Sequence, residues 1–217
     1  MKRSITRALT ALVLGIALIA AACSSGGDGD HAMDERASSA RGQLRDDMRE
    51  VWEDHVTWTR VVIISAAAAL PDYQAAVGRL LQNQDEIGNA IKPYYGEAAG
   101  TELTRLPKDH IAIAGDLLVA AKKGDTAAVG DANARWYGNA DDVARFLAKA
   151  NPDHWPEGEM TRMMRTHLDL TLAEATARLS GDWAGDVVAY DRVVAEILEM
   201  ADMLTDGIIA QFPERFA

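Results

Sequence analysis

Only one cysteine, Cys23, occurs in the 217 residues. The folded part of the chain therefore has no internal disulfide, no thiolate metal centre and no cysteine nucleophile, and its stability must come from a core. Strand signals are also missing: apolar residues recur at helical spacing almost throughout, and period-two alternation is rare. No Gly-rich phosphate loop, no Gly-x-Ser-x-Gly elbow and no Gly-x-Gly-x-x-Gly after a strand is present, which removes the usual sequence marks of nucleotide and acyl-transfer chemistry. The tight metal spacings His-x3-His, Glu-x2-His and His-Glu-x2-His are absent too. On this footing an enzymatic role is uncertain and leans toward no.

The only long apolar run, Ala8 to Ala22, holds about 15 residues, short of the roughly 20 that cross a bilayer. It follows Lys2, Arg3 and Arg7 and leads into Ala20-Ala21-Ala22-Cys23. Residues 1–22 therefore read as a signal peptide of the bacterial lipoprotein kind, with Cys23 the lipidated residue. Plain secretion, with cleavage after Ala20-x-Ala22, is the rival. Either way the expected location is extracytoplasmic, anchored to the envelope membrane in the first case. Residues 23–41, rich in Gly, Ser, Asp and Ala, read as the lipidated cysteine and a flexible tether. Residues 42–217 suffice for one well-buried domain.

Net charge is −11. Without Lys2, Arg3 and Arg7, 19 basic residues face 33 acids, a net of −14. Such a surface repels nucleic acid and anionic lipid, so the membrane partner is expected only through Cys23, and no nucleic-acid partner is expected. The charge favours cationic ligands, or simply solubility. No protein partner can be named.

The periodicity and the stop signals predict an all-α, up-down bundle of about six helices. Helix 1 spans about Gln43 to Ala69 and ends at Leu70-Pro71-Asp72, with Asp72 as N-cap of helix 2. Pro93 is expected to end helix 2 in a turn, Pro93-Tyr94-Tyr95-Gly96-Glu97; a short helix covers Glu97 to Leu106, and Pro107 opens helix 3. Lys122-Lys123-Gly124 and Ser180-Gly181 read as helix C-termini, followed by the caps Asp125 and Asp182.

Three histidines lie on apolar stripes: His55 with Val51, Trp58 and Val62; His110 with Ala114 and Leu117; and His167 with Met163 and Leu170. An acid follows each by 30 to 35 residues: Asp85, Asp141 and Asp202. These offsets suggest three repeated helical hairpins that each aim a histidine and an acid at a shared interior. Imidazole and carboxylate are ligands for zinc, iron and manganese, so the expected cofactor is a divalent metal ion. The candidate ligands are His55, His110 and His167, then Asp85, Asp141 and Asp202. Glu174, seven residues after His167, and Asp191, which shares a face with Asp202, complete the set. The competing readings are a core network in which Asn83, Gln84, Asn139, Thr59 and Thr171 satisfy the histidines in a structural or protein-interaction bundle that binds no ligand, and an organic-ligand pocket or active site. Met160, Met163, Met164, Met200 and Met203 read as packing rather than as a copper(I) site.

Trp52-x2-His55-Val56-x-Trp58-Thr59-Arg60, the stretch NQDEIGNAIKPYYGEAAG from Asn83, Ala184-x-Asp186-x3-Tyr190-Asp191, Met200-Ala201-Asp202-Met203-Leu204 and Gln211-Phe212-Pro213 together resemble a group of small bacterial helical proteins. The resemblance covers about Leu44 to Phe216. Some members are labelled glycosyltransferases. The resemblance implies an all-helical domain and assigns no catalytic residue.

Overall fold

A computed structural model describes residues 28–217 of the chain. Residues 1–22, read above as a signal peptide, and Cys23 lie outside the described residues. Within them the protein is all-α: α1 (Asp28–Ala68), α2 (Tyr73–Lys123), α3 (Thr126–Ala150), α4 (Glu157–Ser180) and α5 (Trp183–Gln211), followed by a short 3-10 turn, Pro213–Arg215. Each helix packs on its sequence neighbour, and α5 returns to pack against α1, closing the ring. No helix of the described residues is long and apolar enough to cross a membrane.

Two expectations about element ends are corrected. The tether was expected to reach residue 41, but α1 begins at Asp28. Ala, Arg, Glu and Met between Ala32 and Arg41 are good helix formers, and they outweigh the serines. The segment is also held in place, because Ala37 is buried and Arg41 donates to the Phe216 carbonyl at 3.2 Å. Neither Pro93 nor Pro107 bounds a helix; both sit inside α2. The break falls at Gly96, inside the expected turn Pro93 to Glu97; its φ of 82° and ψ of 172° are open essentially to glycine alone. There the chain turns back on itself. Lys108 Nζ reaches Asp85 at 2.6 Å, and a Cβ on Gly100 would lie 2.7 Å from the Gly88 carbonyl oxygen. Those two glycines let the arms 73–95 and 97–123 approach closely.

The junctions follow the caps read from the chain at two places. Gly124 (φ 69°) and Gly181 (φ 77°) take the left-handed conformation, and Asp125 and Asp182 accept from the backbone N–H of Ala128 and Gly185. Asp72 holds the N-cap position of α2 but makes no side-chain capping bond. Ala69 there carries φ 54°, a conformation an L-residue occupies at a cost of about 1–2 kcal/mol.

The bundle has two dissimilar ends. At the Gly96 end Tyr94 stacks on Phe216, and Tyr95 packs on Trp155 and Phe212. Tyr95 also donates to Gln211 Oε1 at 2.6 Å. Trp155 is buried against Gly207, where any side chain would collide with the indole. At the far end Arg60, Glu174, Arg178 and Asp186 meet between α1, α4 and α5.

Candidate functional site

Between those ends lie the three histidines, each 5–7% exposed. The rings of His55 and His167 stand 5.7 Å apart, centre to centre, at 39°. His110 packs on Trp136 at 5.0 Å and lies close enough to His167 for that ring's charge to depress its basicity. The inward-facing stripes of α1, α2 and α4 thus place all three imidazoles in the bundle interior, with the rings of His55 and His167 adjacent.

Each imidazole engages, through Nδ1, a residue 29 positions further along the chain. Asn139 turns its carbonyl oxygen to His110 Nδ1 at 2.9 Å, while its amide N–H reaches the Leu106 carbonyl at 3.2 Å. His110 Nδ1 therefore carries a proton and donates it, leaving Nε2 as a lone pair. Glu196 Oε2 accepts from His167 Nδ1 at 3.1 Å in the same sense. His55 differs. The Gln84 amide N–H group faces His55 Nδ1 (3.1 Å), the Leu80 carbonyl (3.0 Å) and Asn83 Oδ1 (3.1 Å), so Nδ1 accepts and the ring proton sits on Nε2. Asn83 in turn donates to the Val51 carbonyl at 2.9 Å, four residues before His55, as Asn139 does to Leu106 before His110.

Burial sets the charge state. Loss of water pushes the His55 imidazole well below its usual range, with the charges of His167 and His110 adding to the effect. Burial holds His110 down at about 3, His167 adding and the Asn139 bond opposing. Both rings are neutral in the folded protein near neutral pH, the form that ligates metals.

The interior is incompletely paired. Gln84 Oε1, Thr171 Oγ1, Glu174 Oε2 and Glu196 Oε1 are buried without a hydrogen-bond partner, as are the indole N–H groups of Trp52, Trp136 and Trp155. Trp52 stands edge-on to His55 at 6.0 Å. Each such atom costs about 1–3 kcal/mol unless something satisfies it.

The acids chosen by spacing are elsewhere. Asp85 pairs with Lys108, Asp141 with Arg165 at 2.8 Å, and Asp202 with Arg45 and Arg49, all toward the surface, and Asp191 is exposed. The cause is rotation: one residue along a helix turns the side chain by about 100°. Gln84, Asn139 and Glu196 point inward; Asp85 and Asp141, one and two residues further on, point out. In α5 the inward positions are Met200 and Ala201, which leaves Asp202 to the arginines. Among the expected ligands Glu174 alone is a buried acid, and it bonds Arg60 Nη1 at 2.7 Å rather than a histidine. Among the described residues no group of three or more His, Cys, Asp or Glu side chains is placed to hold a metal ion. Glu196 is the residue that spacing overlooked. Its signal was present in the 29-residue interval that His110 and Asn139 also keep.

There is little room for an organic molecule inside. An apolar cavity lined by Trp52, Ile87, Tyr95, Leu103 and Trp155 measures about 10 Å³, at the lower limit for one water. A depression of about 530 Å³ beside His154, Glu199, Asp202 and Asp206 is open to solvent, and both aspartates are paired with arginine.

No protein-family model matches this chain, and neither the curated proteins nor the solved structures include a significant match to it.

Proposed function

We propose that this protein is a cation-binding module of the cell envelope, held to the membrane through lipidated Cys23. Its site would be the three-imidazole interior, which takes a borderline divalent ion such as zinc. The observation that carries the reading is the outward engagement of Nδ1 on His110 and His167 by oxygen acceptors. Ligating histidines commonly make this second bond, which fixes the ring and leaves Nε2 free to bind. The ring separation agrees with it. An ion about 2.0–2.1 Å from each nitrogen puts two ring centres about 5 Å apart in a tetrahedral site, against 5.7 Å between His55 and His167. Movement of the rings from their present places would have to close the set around the ion.

His55 must also change tautomer. Turning the Gln84 amide would let its unpaired Oε1 accept from Nδ1, at the expense of its bonds to Leu80 and Asn83. Asp85, Asp141, Asp191 and Asp202 have no part in this site. The same reading treats the domain as three hairpins and six arms, with Gly96 dividing α2. It is supported by the common interval of 29 residues and by the parallel Asn83–Val51 and Asn139–Leu106 bonds.

The test is elemental analysis of the tag-free mature domain, purified without chelator and loaded with zinc, beside a His55/His110/His167→Ala variant. Near one ion per chain in the wild type, absent from the variant, supports the reading. No ion in either leaves the histidines as a register-fixing core network, the second reading, which the bonds to Gln84 and Asn139 favour. Release of the full-length protein from membranes by Cys23→Ser tests the anchor.

A further inference from the structure

Among the described residues five large apolar side chains stand exposed, and all five lie toward the ionic end of the bundle: Leu70 after α1, Val119 near the end of α2, and Trp183, Val187 and Val188 at the start of α5. The stretch Val61 to Leu70, which closes α1 and leads out of it, is apolar on every side except for Ser65. A helix apolar all round is normally enclosed, yet here only Ile63 and Ser65 are buried. Contiguous exposed apolar surface of this kind marks an interaction site.

Two of these stretches form one surface. α1 and α5 run antiparallel, with Arg49 against Asp202, Thr57 against Tyr190 at 3.3 Å, and Arg60 against Asp186 at 3.0 Å. Continued along the pair, that register sets Trp183 level with about Ile64. At about 100° per residue, Val61, Ile64 and Ala68 share one side of α1 with Thr57, and Trp183 and Val187 share with Tyr190 the side of α5 beside it. This face is uncharged. Residues 61–71 hold no charged side chain, and residues 183–190 hold only Asp186, which is buried and paired with Arg60 and Arg178. A chain of net charge −11 thus keeps one lateral face where another copy of itself meets least like-charge repulsion. The same face carries both halves of a contact. One is the Trp183 indole, 60% exposed, with the Arg178 guanidinium 4.8 Å from its centre; the other is the low alanine run Ala66–Ala69 at nearly the same height.

We propose that this face joins two copies of the chain side by side, about a two-fold axis running along the bundle. That axis preserves height, so the Trp183 ring of one copy reaches the alanine run of the other, and the reverse. A self-complementary contact of this kind closes at two copies. Both Gly96 ends, and the residues that precede α1 in each chain, then lie on the same side of the pair. The face spans about 15 Å along α1 and about 20 Å across two helices, on the order of 300–500 Å² per copy, against about 800 Å² in a standard stable interface. The pair is therefore expected to dissociate at a concentration on the order of 100 µM and to form where the chain is concentrated. The inference stands apart from the cation-binding reading and needs no bound ion.

The experiment is sedimentation velocity of the tag-free mature chain from about 10 µM to about 1 mM. The sedimenting mass should climb from that of one chain toward twice that value and stop there. Trp183→Asp and Ala68→Lys should each weaken the association about tenfold or more. Val188→Asp, equally exposed but turned about 100° from Val187, should leave it unchanged. A mixture of Trp183→Asp with Ala68→Lys should associate more tightly than either variant alone, because the mixed pair keeps one native contact and joins opposite charges at the other. A single-chain mass at every concentration overturns the pairing and leaves the face to a foreign apolar partner. Growth beyond two copies overturns the two-fold contact. Association that survives both face variants, or that Val188→Asp abolishes as readily, overturns the assignment to this face. If circular dichroism shows that Trp183→Asp does not fold, Val187→Asp takes its place with the same expected loss.

Discussion

The two ends of this bundle are closed by different means. At one, Tyr94, Tyr95, Trp155, Phe212 and Phe216 interleave, and the polar atoms among them are few: Tyr95 O–H finds Gln211, and Asn151 donates to the Gly207 carbonyl at 2.9 Å. At the other, four charges are buried or half-buried in contact. Apolar closure depends on shape and area and is indifferent to pH. Ionic closure balances desolvation against attraction, and here the balance is not fully struck, since Glu174 stays harder to ionise than a free carboxyl despite its arginine. The difference is that the second end can change charge without losing its packing, and the first cannot.

The largest test of that contrast is Trp155→Ala. Removing the buried indole should destabilise by about 3–5 kcal/mol, by the same amount at every pH, as read from urea midpoints between about pH 5 and 9. Arg60→Ala should behave otherwise. Above about pH 8 it takes from Glu174 its only cation, while Asp186 keeps Arg178, and should cost about 3 kcal/mol; near pH 5, where Glu174 is protonated in the fold, the cost should shrink. The sign follows from the wild type. Glu174 is raised from 4.5 to about 7 by folding. Its contribution is therefore complete below about pH 4.5 and is lost as pH climbs through 7, about 3 kcal/mol in all. An Arg60→Ala penalty constant with pH would erase the distinction between the ends. The smallest effect is expected of Tyr95→Phe, which gives up one hydrogen bond to Gln211 and keeps the ring packing; it should cost about 1 kcal/mol in the same assay. A cost above about 3 kcal/mol would mean that the aromatic end too depends on a polar network.

Much of the architecture was legible because it is written in local chemistry. Gly124-Asp125 and Gly181-Asp182 announce a left-handed stop and a new cap in four residues. The histidine stripes needed only a period of 3.6. What escaped depended on rotation and on distance. Asp85 and Gln84 are adjacent in the chain, yet one faces Lys108 in solvent and the other faces His55; a preference for charge over amide picked the wrong one. Pro93 looked like a terminus because proline lacks an N–H, but the chain tolerated it in the last turn before Gly96, where the backbone angle itself forced the reversal. Arg60 carried no local signal at all, since its partners are 114 and 126 residues away.

That reach bears on how the chain comes to be folded. Most contacts join sequence neighbours, so α2, α3 and α4 can assemble progressively as hairpins. The seam between α1 and α5 cannot. Arg41 meets the carbonyl of Phe216 across 175 residues, and Arg49 meets Asp202 across 153. Of the described helices α1 is the last to find its full set of neighbours, and until α5 arrives the side of it that α2 does not cover, with Arg60, remains exposed. Loop-closure entropy makes such distant pairing late and slow relative to the local helices. The rate-limiting event in folding is then expected at this seam, and the chain is most open to proteases and to self-association while α1 waits.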